Sequence, residues 1–68
     1  MKAIELKPGD VLRNIHGTPY NVKEVRPKKD GTGFWVITFN MSGEHWLPYK
    51  ETDNVLFRVM RDDVQISA

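Results

Sequence analysis

Turn signals recur along this chain at intervals too short for long helices. They are Lys7-Pro8-Gly9-Asp10, His16-Gly17-Thr18-Pro19, the stretch 27–33, Ser42-Gly43 and Thr52-Asp53-Asn54. Proline presets φ for a turn, glycine reaches positive φ without strain, and Asp or Asn bonds to its own backbone. Between these points lie short runs rich in Val, Ile, Tyr, Phe and Trp. Short β-type runs at such spacing predict an all-β sandwich or barrel and argue against alternating strands and helices. No internal repeat, low-complexity tract or linker interrupts the pattern, so residues 1–68 read as one domain.

Five strands are expected. Val11 to Ile15 follows the Pro-Gly-Asp turn. In Tyr20 to Arg26, Tyr20 and Val22 share a face but Val25 breaks the alternation, and a bulge near Lys23 or Glu24 restores it. Phe34 to Asn40 is apolar on both faces and reads as a central strand, with Trp35, Ile37 and Phe39 assigned to the core side. His45 to Lys50 contains Pro48, which cannot donate a ladder hydrogen bond, so that strand has an open side or a break. Val55 to Met60 is the last; a helix competes there, but β-branched and aromatic residues at Val55, Phe57 and Val59 favour a strand. The expected core is Val11, Ile15, Val22, Trp35, Ile37, Phe39, Leu47, Val55, Phe57 and Val59. Residues 3–6 are expected to pair with another strand, as a short extra terminal strand, and 62–68 to form a fraying tail.

The simplest arrangement is a strongly bent antiparallel meander or a closed five-stranded barrel, since closure removes exposed edges. The stretch LKPGDVL followed by GTPYNVKEV resembles the opening strands of SH3-like small β-barrel proteins, of the kind found among bacterial and phage proteins. As a pattern the resemblance runs from about residue 6 to residue 60, and it implies an SH3-like barrel. The chain lacks the acidic specificity loop and the Ala-Leu-Tyr-type opening of peptide-binding SH3 domains, so proline-peptide recognition is not implied.

Composition narrows the function classes. A chain of 68 residues builds a small core and leaves little room for a deep cleft. It has no cysteine, so disulfides and thiolate metal sites are excluded, which suits a cytoplasmic location. Its apolar runs are too short for a transmembrane helix, and MKAIELKPGD has no apolar signal core. The net charge is +1, but residues 1–34 carry +3 and residues 35–68 carry −2. The basic excess gathers at Lys23, Arg26, Lys28 and Lys29.

Catalytic chemistry finds no foothold. Ser42 and Ser67 lie in a turn and the tail, outside any nucleophile-elbow context. His16 reads as a turn residue and His45 as packing beside Trp46. With only two histidines and no thiol, no metal site or cofactor is expected. Asp62 and Asp63 are adjacent and do not flank a common bond as a glycosidase pair must. Asp10 and Asp53 are explained as turn residues, and Gly31-Thr32-Gly33 leads into a strand rather than a phosphate-binding helix. The reading is therefore a non-enzymatic binding module. The first expectation is a protein partner held by an aromatic patch at Trp46, Pro48 and Tyr49 or by an open strand edge. The alternative is nucleic acid, with Lys23, Arg26, Lys28 and Lys29 on phosphates and Phe34 among the stacking rings. A structural subunit of a phage or other assembly, including a homo-oligomer, is the third.

Overall fold

The computed structural model describes residues 1–61 and 64–66. The chain is all-β. The strands are β1 (Val11–Arg13), β2 (Pro19–Pro27), β3 (Phe34–Asn40), β4 (Gly43–Tyr49) and β5 (Arg58–Arg61), with a two-residue β6 (Val64–Gln65). They form one antiparallel sheet in the order β4-β3-β2-β1-β5-β6. The first four strands are a meander, and β5 then returns to the far side of β1. Among the described residues the sheet is open, with β4 and β6 at its edges, so the closed-barrel version of the expectation gives way to the bent meander.

The bulge falls where the broken alternation of β2 requires it. Val22 pairs with Thr38 and Glu24 with Ile37, so Lys23 is the extra residue. Val22 and Val25 then both face inward: Val22 is buried, and Val25 packs against the core cluster. Strand β3 keeps its expected bounds, but its faces are the reverse of the expectation. Phe34, Val36 and Thr38 are buried, while Trp35 is half-buried and Phe39 is 48% exposed. The same inversion holds at β1, which ends at Arg13 rather than Ile15: Leu12 is fully buried and Val11 only half-buried, while Ile15, in the turn beyond the strand, is 96% exposed. Of the other expected core residues, Val22, Val55, Val59 and Ile37 are buried, and Leu47 and Phe57 pack against the cluster from partly buried positions. Ala3 and Leu6 complete the cluster.

The N-terminal segment also departs from expectation. Ala3–Glu5 is a 3-10 turn, not a strand. Pairing occurs one step earlier, where Lys2 bridges Asn54, Ala3 N–H donates to the Asp53 carbonyl and Val55 N–H donates to the Met1 carbonyl. A three-residue period then places Ala3 and Leu6 on one side, both buried, and leaves Ile4 exposed. At the other terminus β6 pairs with β5 through Met60–Gln65 and Arg61–Val64. Residues 62, 63, 67 and 68 lie outside the described residues, and with them the expectation that the chain frays from Asp62.

One polar clamp ties the start of the sheet to its end. Asp10 is 1% exposed, and both its oxygens accept from Arg61, Oδ1 from Nε at 2.7 Å and Oδ2 from Nη2 at 2.9 Å. Oδ2 also accepts from Lys7 N–H, closing the Pro-Gly turn. Burial pushes the Asp10 carboxyl up; the Arg61 bond and the Lys7 amide more than offset it, so its pKa lies below the ordinary value.

Candidate functional site: an aromatic face on the edge hairpin

The β3–β4 hairpin turns through Met41 and Ser42, with Asn40 opposite Gly43. That register puts Trp35 opposite Pro48, Ile37 opposite Trp46 and Phe39 opposite Glu44. Since strand side chains alternate, these six residues share one face, and it points away from the core. Arg26 of β2 sits beside Trp35 in the same layer. The opposite face of β4 carries His45, Leu47 and Tyr49, all half-buried.

Two tryptophans organise the outward face. Trp35 and Trp46 meet edge-to-face with ring centroids 5.9 Å apart, and Trp46 remains 43% exposed. The Arg26 guanidinium carbon lies 5.4 Å from the Trp46 ring centre, and the Lys28 ammonium 4.6 Å from that of Trp35. Such cation–ring contacts contribute about 0.5–1 kcal/mol at exposed sites. Ile37 shares this face yet is 2% exposed, so the rings rest on an apolar floor. Beside them an open depression of about 490 Å³ is lined by Arg26, Pro27, Lys28, Lys29, Asp30, Trp35 and Trp46.

The charges on this face are largely paired. Glu44 accepts from Trp46 Nε1 at 2.7 Å and from Lys23 Nζ at 3.1 Å. The indole bond and then Lys23 hold its carboxyl below the usual range. Glu24 accepts from Arg26 Nε at 2.6 Å, which raises the arginine's pKa further. The loop below is ordered by Asp30, which accepts from both the N–H and the hydroxyl of Thr32; those bonds lower its pKa.

The structure brings together only part of what the sequence suggested. Trp46 and Pro48 share the outward face, but Tyr49 lies on the inward one, its ring 6.3 Å from Phe34. Pro48 therefore does not twist the strand enough to join the three. Phe34 is 6% exposed and offers no ring for base stacking, because it faces the core beside Val36. Arg26 and Lys28 reach the tryptophans; Lys23 is engaged by Glu44, and Lys29 stays exposed in the loop. Trp35 and Phe39, which sequence reasoning assigns to the core, belong to the site, as do Glu24 and Glu44, which it does not name as site residues. Glu44 is the available signal: an acid two residues before Trp46 marks the solvent side of β4, and the short turn carries that side onto Trp35.

Pro48 has a second meaning. The two-residue turn makes Asn40 and Gly43 a hydrogen-bonded pair, so the alternation leaves the backbone groups of Glu44, Trp46 and Pro48 directed at the open edge. The missing N–H of Pro48 thus costs no ladder bond, and it blunts the edge against a further strand. Among the described residues no cluster of three metal-ligating side chains occurs, and no helix is long and apolar enough to cross a membrane. No family model, curated protein or solved structure matches this chain.

Proposed function

We propose that this protein is a binding module that docks a protein partner on the Trp35–Trp46 face of the β3–β4 hairpin. The observation that carries the reading is the edge-to-face tryptophan pair, Trp46 exposed and Trp35 half-buried, held in place by flanking cations. Tryptophan and arginine dominate the energetics of protein interfaces, and a ring already fixed by its neighbours loses little entropy on binding. Phe39 and Met41, both exposed, extend the apolar area along the hairpin. Strand addition at β4 is the weaker version, since proline interrupts the row of donors that an added strand needs.

Nucleic acid is the second reading, favoured by Lys28 and Lys29 beside the depression. Against it stand Glu44, whose carboxylate is bonded to the Trp46 indole, and Glu24, whose carboxylate is bonded to Arg26; both put negative charge on the face where a phosphate backbone would pass. Affinity capture with the wild-type protein and with Trp46→Ala, each with and without nuclease, tests the choice. The protein reading expects a nuclease-resistant partner whose capture falls at least about tenfold with Trp46→Ala, equivalent to about 1.4 kcal/mol. Thermal melting of the variant should stay close to wild type, because Trp46 is outside the core cluster. Capture that vanishes with nuclease, or affinity that falls steeply with salt, transfers the function to nucleic acid.

A further inference from the structure

A second surface lies away from the tryptophans, where the β1–β2 turn meets the approach to β5. Ile15 is 96% and Leu56 94% exposed, although each is a large aliphatic residue. Between them is a groove of about 370 Å³ lined by Arg13, Asn14, Ile15, Leu56, Phe57 and Arg58. Its size suits an inserted side chain with a stretch of backbone. Its lining contains two guanidinium groups and no carboxylate.

The arginines are not placed at random. Arg13 and Arg58 sit directly opposite each other in the β1–β5 register. Like charges facing across a sheet are unfavourable in the free protein, and an anion between them relieves the repulsion. Arg13 is steadied by donation from Nη1 to the Gly17 carbonyl at 2.8 Å, and Arg58 is exposed. Phe57 is itself braced by Tyr20, with ring centroids 5.8 Å apart, and gives the groove a firm wall.

We propose that this groove binds a short segment of a partner protein in which a bulky apolar side chain stands next to one or more carboxylates. The apolar side chain would lie between Ile15 and Leu56 against Phe57, and the carboxylates would pair with Arg13 and Arg58. Arginine forks are suited to carboxylates because two parallel N–H bonds reach both oxygens. Charge complementarity selects this occupant: a wholly apolar segment would leave the opposed arginines unrelieved, and a nucleic-acid strand would find only one ring for stacking. The surface is separate from the tryptophan face, so the proposal stands apart from the function proposed above.

The test uses a displayed random-peptide library panned on the full chain carrying Trp46→Ala, which removes the other docking face. Enriched peptides are expected to combine Leu, Ile or Phe with adjacent Asp or Glu. Their affinity should fall at least about tenfold for Arg58→Glu and for Leu56→Ser on this background. Both replaced residues are exposed, so both variants should melt close to the parent, which separates lost binding from lost folding. Failure to enrich any peptide, enrichment without an acidic bias, or equal binding to Arg58→Glu overturns the proposal. So does concentration-dependent self-association abolished by Leu56→Ser, which would make a second copy of the chain the occupant.

Discussion

Gly33 shows how one residue fixes the approach to the tryptophan face. Its φ is +143°, and an added Cβ would collide with the carbonyl oxygen of Tyr49, a backbone atom of the neighbouring strand. Gly31, in the same loop, has φ +75° but open space where a Cβ would go. Gly31→Ala should therefore cost about 1 kcal/mol, the ordinary penalty of the left-handed region. Gly33→Ala should cost on the order of 2–3 kcal/mol, since strain adds to collision. Urea midpoints of the two variants check the order, and equal losses would mean that β3 and β4 separate easily at this end. Asp10 carries the clearest pH effect. Its folded pKa is depressed, so its contribution is fully present above the unfolded value of about 3.9 and is lost as pH falls through the folded value. Wild-type and Asp10→Asn proteins should differ by roughly 1.5–3 kcal/mol near neutrality, the range for hydrogen bonds to charged groups. Melting curves taken at successively lower pH should begin to approach each other below about pH 4 and converge only below the depressed folded pKa.

At the scale of elements, the periodicity of β3 was legible and its orientation was not. A period of two says that Trp35, Ile37 and Phe39 share a face; it does not say which face is inside when both are apolar. The larger rings favoured the wrong choice. The structure resolves it through neighbours: Phe34, Val36 and Thr38 share a side with His45, Leu47 and Tyr49, whereas the other side meets Glu44 and Arg26. The bulge in β2 was legible because one inserted residue is the simplest way to return an out-of-phase valine to the core face. Strand β5 begins at Arg58 rather than Val55, and Val55 reaches the core from the segment that pairs with Met1. That pairing had no local signal, since it joins residues far apart in the chain. Residue exposure in β1 and its turn gives the direct check on orientation. Leu12→Ala, at a fully buried site, should cost about 2–5 kcal/mol, whereas Ile15→Ala should stay within about 0.5 kcal/mol. Denaturant titration of the pair decides it; the reverse order would return Ile15 to the core.

For the whole molecule, the small core makes the joining of the ends important. A chain of this size buries only about 60% of its unfolded surface, so few contacts stand between folded and unfolded states. Among the described residues three devices connect N-terminal to C-terminal residues: the Met1–Ala3 pairing with Asp53–Val55, the β1–β5 ladder, and the clamp of Arg61 on Asp10 and on the Glu5 carbonyl. All three engage residues before position 62. Among the described residues, β6 and Ile66 after it add the two pairs with β5 and the bond from Ile66 N–H to the Val59 carbonyl. Deleting Val64 to Ala68 therefore removes a few backbone hydrogen bonds, each contributing about 1 kcal/mol or less once the freed groups are hydrated. An expected loss of about 1–2 kcal/mol lowers the melting temperature by several degrees, because about 1 kcal/mol corresponds to 4–8 °C at this size. Arg61→Ala leaves β6 in the chain but strands the buried Asp10 carboxylate, so it should lower the melting temperature at least as much as the deletion. Calorimetry of the two proteins compares an edge segment with a buried clamp. A truncation that unfolds the chain while Arg61→Ala remains stable would mean that the sheet is held at its β6 edge rather than at the Asp10 clamp.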